Sequence, residues 1–263
     1  MQHHTRRRFQ LPVFIVATLF LIGVIGPQAT PAIAADGKES APPSVGKATR
    51  RAPSVSASRL GYYHGVVPCA SCPGIDTWLR FDATKGVTRY KLIERYLEEK
   101  NGVFRSSGRV TWSGDGTVAR LIAKDEARVL AVGNGRAEFL GDDGKAQGEA
   151  SLYLLRKQEA YAGNGQQLLV DPSSVKRVGE RVRFEGLLNF QHRMDGGHQS
   201  MHATVDIDCV SQTYLLPSVA YYTGTFSTGK LLHAEPKNEN PPLPFAGKDD
   251  VFAQVARRHC AQR

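Results

Sequence analysis

The sequence predicts a mainly β protein with two antiparallel β domains and one helix at the C-terminus. From about residue 60 onward, apolar side chains recur at every second position, which is the period of a half-buried strand. Asn-Gly and Asp-Gly pairs, which favour tight hairpin turns, recur at short intervals up to residue 144. In the last turns of the chain the apolar period changes to that of an amphipathic helix.

The N-terminus has the pattern of an export signal. Three arginines at 6–8 precede an uncharged apolar run at 11–26, and Ala32-Ile33-Ala34 supplies the small residues that a signal peptidase reads. We therefore expect residues 1–35 to be a cleaved signal peptide and the mature chain to be periplasmic or secreted. The apolar run is shorter than the ~20 residues of a spanning helix, so we expect no transmembrane anchor in the mature chain. General secretion and twin-arginine export both remain open, and no cysteine stands at the cleavage site for lipidation.

The charge of the chain is concentrated near its N-terminus. With 34 Lys and Arg against 25 Asp and Glu, the 263 residues carry a formal charge of +9, which at first indicates an anionic partner. Three positive charges leave with the signal peptide. A net three more lie in residues 36–59, a Ser-, Ala- and Pro-rich stretch that predicts a disordered linker. The remaining charge forms no basic stripe, so we expect no binding to nucleic acid.

Residues 60–158 predict the first domain, a small antiparallel barrel or sandwich. The apolar positions of its strands are Ile75, Thr77, Leu79 and Phe81, then Tyr90, Leu92 and Tyr96, and finally Leu152 and Leu154. Turn pairs separate these strands, and none of the segments has a convincing helical period.

Residues 159–263 predict the second domain, an antiparallel β unit that ends in a helix. The turn at 195–197 joins two alternating segments into a long hairpin, and one face of the second segment runs from Met201 to Cys209. A helical face begins at Val251, and Asp249 is the expected N-cap. No internal repeat is evident.

The four cysteines form two groups by context. Cys69 and Cys72 lie in a Pro-Cys-Ala-Ser-Cys-Pro segment, Cys209 ends a strand, and Cys260 lies in the terminal helix. Four cysteines allow three connectivities, of which we choose Cys69 with Cys72 and Cys209 with Cys260 as the simplest in an oxidising compartment. The second bridge would close a loop of about 51 residues and stabilise the fold by roughly 3–4 kcal/mol.

The Cys69/Cys72 pair has three possible roles. Two thiolates at this spacing bind a soft ion such as Cu(I), cycle between dithiol and disulfide, or form a plain structural bridge. Because a strand and not a helix follows the motif, thiol–disulfide oxidoreductase activity is the least expected of these. A Cys₄ zinc site is excluded because the other two cysteines are more than 130 residues away.

Histidines supply a weaker set of candidate metal ligands: His64, His192, His198 and His202. His64 precedes the cysteine motif, and the other three flank the turn at 195–197, where opposed strands could bring them together with Met194. The alternative is that they are solvated hairpin residues and that Met201 belongs to the core. Motifs for phosphate binding or hydrolytic catalysis are not evident.

Two resemblances to known families follow from these residues. Residues 60–157 resemble the NlpE N-terminal domain family of copper-homeostasis and envelope-stress proteins. The resemblance lies in the Tyr62–Asp82 segment around Pro-Cys-x-x-Cys and in shorter matches at 90–96, 108–112, 139–144 and 152–154. It implies a small lipocalin-like barrel with copper or redox sensing by the Cys pair.

Residues 168–263 resemble the surface-adhesin E family, through Val170-Asp171, Val175-Lys176-Arg177, Ile207-Asp208-Cys209 and Cys260. This second resemblance implies adhesion to host matrix proteins, as in some members of that family.

Together these observations predict an exported, non-enzymatic envelope protein whose Cys69/Cys72 pair senses or buffers copper or redox state. Two departures from the first family matter: the lipid-anchoring cysteine is missing, and the second domain is not its usual partner domain. The alternative function is an adhesion or envelope-partner module in which both disulfides are structural.

Overall fold

The computed structural model describes residues 55–124 and 127–261. The predicted signal peptide and the predicted linker up to residue 54 lie outside these residues. The chain is mainly β, as the sequence predicts, with a closed antiparallel barrel, a second antiparallel sheet and one α-helix. Residues Ala57–Arg59, at the end of the predicted linker, form a 3₁₀ helix, and the Tyr63 hydroxyl donates to the Arg59 carbonyl.

Eight strands close the barrel. They are β1 (Gly61–Val67), β2 (Ile75–Thr84), β3 (Val87–Tyr96), β4 (Val103–Trp112), β5 (Val118–Ile122), β6 (Ala127–Gly133), β7 (Arg136–Leu140) and β8 (Leu154–Lys157). Each strand pairs with the next, and β8 returns to pair with β1, so neither of these strands is left as a sheet edge. Period-two alternation places Tyr63, Leu79, Phe81 and Leu92 in the interior, where they are almost fully buried.

The hairpin turns follow the local chemistry of their residues. Asn134 and Gly135, between β6 and β7, both have positive φ, at 50° and 71°, as a two-residue type I′ turn requires. Asn is among the few non-glycine residues that accept this backbone region. The turn pairs seen in the sequence therefore lie where the barrel reverses direction.

The predicted strand at 151–155 is wrong in its register. Residues Ala150–Tyr153 form a 3₁₀ helix, and β8 begins only at Leu154. Leu155 is the buried side chain at 0% exposure, whereas Leu152 is 49% exposed. The reason is closure of the barrel: β8 must pair with both β7 and β1, and this pairing points Leu155 inward.

The second sheet contains the remaining strands. They are β9 (Glu159–Gly163), β10 (Gln166–Val170), β11 (Lys176–Val178), β12 (Arg181–Phe190), β13 (Ser200–Asp208), β14 (Thr213–Tyr222), β15 (Leu231–Glu235) and β16 (Leu243–Pro244). The main path runs β15-β14-β13-β12-β10-β9, with β11 paired to β12 and β16 paired to β14. A third 3₁₀ helix spans Pro172–Ser174.

The α-helix α1 (Val251–His259) covers one face of this sheet. Val251, Phe252 and Val255 pack into the apolar cluster that also contains Phe184 and Ile207. The N-cap is Asp250 and not Asp249 as the sequence predicted, because the Asp250 carboxylate accepts from the backbone N–H of Phe252 at 2.7 Å. None of the helices within the described ranges is long and apolar enough to span a membrane.

The other face of the second sheet packs against the outer wall of the barrel. Tyr62 and Trp78 from the barrel and Leu169 and Leu187 from the sheet form a buried cluster, each at 7% exposure or less. Phe226, in the loop after β14, packs against this cluster. The outward face of β1 and β2 is therefore an interface and not a solvated surface.

Candidate functional site

Cys69 and Cys72 lie in the loop that joins β1 to β2. The ladder between these strands ends at the Val67–Ile75 pair, which leaves residues 68–74 as a connection at the rim of the barrel. The two cysteines form a disulfide with their Cα atoms 5.3 Å apart, and both are partly exposed. The pair is thus accessible from solvent and lies outside the barrel core.

A backbone contact holds the second end of this loop. The N–H of Leu97, just after β3, donates to the Gly74 carbonyl at 3.0 Å. Gly74 is buried, and a Cβ at this position would lie 2.6 Å from the Val66 side chain, so only glycine fits. The loop is therefore fixed to the neighbouring turn at 97–102, while the cysteines at its tip remain open.

Glu99 is a third potential ligand that the sequence analysis did not identify. One of its carboxylate oxygens and the two cysteine sulfurs all lie within 4.8 Å of one another. Glu99 lies in the β3–β4 turn, far from the cysteine motif along the chain. No known motif links a carboxylate at this position to a Cys-x-x-Cys pair, so the sequence did not predict it as a ligand. In the disulfide state the sulfurs are not metal ligands. In the reduced state two thiolates fit Cu(I), and the carboxylate adds a harder oxygen ligand that suits Zn(II).

A charged triad lies on the outward face of β1, β2 and β3, behind the cysteine loop. His64 Nε2 and Asp76 Oδ1 are 2.7 Å apart, and Arg95 Nη2 donates to Asp76 Oδ2 at 2.7 Å. The His64 ring stacks on Trp78 with a centroid separation of 4.0 Å. His64 therefore takes part in an ion-pair network and not in a group of metal ligands.

Asp76 is buried, yet it remains charged because of its partners. Burial by itself raises the pKa of the Asp76 carboxyl, but the hydrogen bonds and charges of His64 and Arg95 outweigh burial and bring the pKa below its usual value. This stabilisation is complete above the ordinary aspartate pKa and is lost as the pH falls through the lowered one.

The second domain contributes aromatic and histidine side chains opposite this triad. The Arg95 guanidinium lies 5.6 Å from the ring centre of Tyr222 on β14. His202 on β13 lies on the face of the strand opposite Met201. Loss of hydration lowers the pKa of His202, although part of the side chain is accessible to solvent, and the Glu185 carboxylate raises this pKa in part.

The structure does not bring the three histidines around the 195–197 turn together as ligands. His192 is exposed, and His198 packs edge-on against Phe190 and Tyr221. His202 points away from the core face that holds Met201. Among residues 55–124 and 127–261, the only group of three or more potential ligands within 4.8 Å of one another is Cys69, Cys72 and Glu99.

Cys209 and Cys260 form the second disulfide, with their Cα atoms 5.7 Å apart. The bond joins the end of β13 to the C-cap residue of α1, and both cysteines pack against the apolar cluster of the second domain. This position is that of a structural bridge that holds the helix on the sheet.

Comparisons with protein families match two successive parts of the chain. The family described as NlpE N-terminal domain matches residues 63–149, and the family described as surface-adhesin protein E matches residues 156–261. No curated protein matches the chain significantly.

Two solved structures are similar to parts of the chain. The crystal structure of a protein described as a lipoprotein of Shewanella oneidensis is 31% identical, with a TM-score of 0.33, over 38% of this chain and 88% of that one. The crystal structure of the Cpx pathway activator NlpE from Escherichia coli is 18% identical, with a TM-score of 0.29, over 65% of this chain and 90% of that one.

Proposed function

We propose that the chain is an exported, non-enzymatic protein of the cell envelope, because the NlpE N-terminal domain family matches residues 63–149 and the surface-adhesin protein E family matches residues 156–261. Its proposed role is to sense or buffer copper or redox state through Cys69 and Cys72. Both families consist of envelope or surface proteins.

The position of the disulfide in an accessible loop is the observation that supports this role. Opening the bond breaks one S–S bond and forms two thiols, which consumes two electrons and two protons from a dithiol reductant. Cu(I) then binds both sulfurs as thiolates and releases the two thiol protons. Since the loop ends at Val67 and Ile75 and is fixed through Gly74, these changes leave the barrel pairing intact.

A Cu(I) titration of the mature protein tests this proposal. After selective reduction of the loop disulfide, one equivalent of Cu(I) should be withdrawn from a coloured chelator such as bathocuproine disulfonate. The Cys69→Ser plus Cys72→Ser variant should withdraw none. Ser71→Ala, which changes the same loop and keeps both thiols, is the matched control and should bind as the wild type does. Equal binding by the double variant would exclude these sulfurs as the site.

A second proposed function is the binding of a surface protein by the second domain. The family match over residues 156–261 supports it. In this case the full mature chain should adhere to a surface coated with a matrix protein such as laminin, without metal and equally well in the double cysteine variant. Adhesion that disappears with the double variant would instead assign the binding to the cysteine loop.

A further inference from the structure

A cavity of about 500 Å³ lies where the outer wall of the barrel meets the second sheet. Strands β1–β3 form one wall, and the β9–β10 hairpin, the end of β12 and the loop after β14 form the other. The cysteine loop does not contribute to its lining. Its volume is within the range of small-molecule sites, which often lie between domains.

Aromatic side chains form the floor of this cavity. The Phe226 ring lies 6.1 Å from Tyr62 and 5.5 Å from Trp78 between ring centres. Tyr62 and Trp78 are buried in the interface between the domains, so the apolar floor is already ordered without a ligand. Phe226 has a positive φ of 56°, a backbone conformation that is unfavourable for an aromatic residue. The protein therefore holds this ring in place against a local strain.

Asn189 adds an unused hydrogen-bond donor to the lining. Its side chain is only 7% exposed, and its Oδ1 accepts from the backbone N–H of Phe226 at 2.7 Å. Its Nδ2 has no hydrogen-bond partner among the residues that the structure describes. A buried donor without a partner is destabilising, and a ligand oxygen in the cavity would satisfy this donor after a small shift of the side chain.

The charged side chains of the lining are both cationic. Arg80 on β2 and Lys91 on β3 are directly opposite each other, an arrangement of like charges that is unfavourable by itself. Arg80 pairs with Asp82 and lies 4.9 Å from the ring centre of Tyr62. Lys91 has no acidic partner among the described residues, and the cavity lining contains no Asp or Glu. The cavity therefore favours a ligand that combines an anionic group with an apolar group.

We infer that this cavity binds an amphipathic organic anion: a molecule with an apolar body that lies on the floor formed by Tyr62, Trp78 and Phe226. Its anionic group is held by Lys91 and Arg80, and in a ligand whose body carries a polar oxygen, that oxygen accepts from Asn189 Nδ2. This binding is separate from the copper or redox role, because no residue of the cysteine loop takes part in it.

The aromatic sulfonate 8-anilinonaphthalene-1-sulfonate serves as the probe, in a Trp112→Phe background of the mature protein. The chain has two tryptophans, so this change leaves Trp78, in the cavity lining, as the only one. Binding should quench the emission of Trp78.

The variant Lys91→Glu should weaken binding at least tenfold. Because the new carboxylate faces Arg80, the fold should be maintained. Lys176→Glu on β11 changes the net charge equally, lies outside the cavity lining, and should change the affinity less than twofold.

Two further measurements test the shape and the charge of the ligand. Ala162→Phe places a ring in the cavity without changing charge and should also weaken binding at least tenfold. Dodecanoate should displace the probe, whereas dodecanol should not. Absence of binding, equal loss of affinity in the two lysine variants, full affinity in Ala162→Phe, or displacement by dodecanol would each overturn the inference.

Discussion

The two disulfides should differ in how much they stabilise the protein, and this difference tests whether the loop pair can open without unfolding. The Cys209–Cys260 bond spans a sequence separation of 51, and the Cys69–Cys72 bond spans 3. In the chain-entropy model, loops of these lengths correspond to about 4 kcal/mol and about 2 kcal/mol of the free energy of unfolding. Loss of packing at the C-terminal pair should increase the first value further, since both of its cysteines contact the second-domain core.

Urea unfolding of two double Cys→Ala variants, followed by far-UV circular dichroism, measures this difference. With a slope of about 2 kcal/mol per molar, the variant without Cys209 and Cys260 should unfold about 1 M earlier than the variant without Cys69 and Cys72. The variant without Cys69 and Cys72 should also keep the native spectrum at zero urea.

The opposite order of stability would refute this reasoning. If loss of the Cys69–Cys72 bond destabilised the protein as much as loss of the Cys209–Cys260 bond, the loop bridge would be part of what holds the barrel together. A pair of this kind could not cycle between thiol and disulfide in the folded protein, and the proposed sensing role would fail with it.

Three other substitutions test the interface and the helix cap. Asp76→Asn should cost about 2 kcal/mol of unfolding free energy at pH 7, because its partly buried cationic partner Arg95 is left uncompensated. Since the Asp76 pKa is lowered in the folded state, this difference should shrink as the pH falls below about 4, as urea unfolding at pH 7 and pH 3 would show. Leu187→Ala should cost about 2–5 kcal/mol and shift the native emission of Trp78 to longer wavelength, because both side chains belong to the interface cluster. Asp250→Ala should cost about 1 kcal/mol in thermal or urea unfolding through loss of the N-cap.

The chain offers matched controls for these substitutions. Leu188, next to Leu187 and also buried, packs in the core on the opposite face of the sheet, so Leu188→Ala should destabilise the protein without shifting the tryptophan emission. Asp249→Ala should cost less than about 0.5 kcal/mol, because its side chain is exposed and the helix is capped by Asp250. Equal emission shifts for the two leucines, equal costs for the two aspartates, or a pH-independent effect of Asp76→Asn would contradict the structure described above.

Local patterns were sufficient for the fold class and for most of the barrel interior. Alternation placed Leu79 and Phe81 on an inward face, because a strand has a fixed period of two and one side of the barrel wall encloses the core. The pattern was misleading at Leu152 and Leu155. There the position of the last strand depends on closure of the barrel and not on local alternation.

The candidate site was only partly readable from the sequence. The spacing of Cys69 and Cys72 is local, so the motif itself indicated the pair. Glu99 approaches it through a separate turn, and no short-range signal marks that approach. The three-histidine hypothesis relied on a hairpin that does form, but the strand period places His202 on the face opposite Met201, toward the barrel.

The sequence by itself determined that this protein is mainly β with a terminal helix and a closely spaced cysteine pair, because periodicity, turns and motif spacing are properties of neighbouring residues. Only the tertiary structure decided what lies between the domains. Trp78 and Asp76 occupy positions that alternation assigns to solvent, and both are buried because the second sheet covers that face of the barrel. The cavity beside Trp78 arises from contacts between residues more than a hundred positions apart, such as Trp78 and Phe226, which no local pattern encodes. The ion pairs of Asp76 depend instead on how β1 and β3 pair with β2, which brings His64 and Arg95 to the same carboxylate.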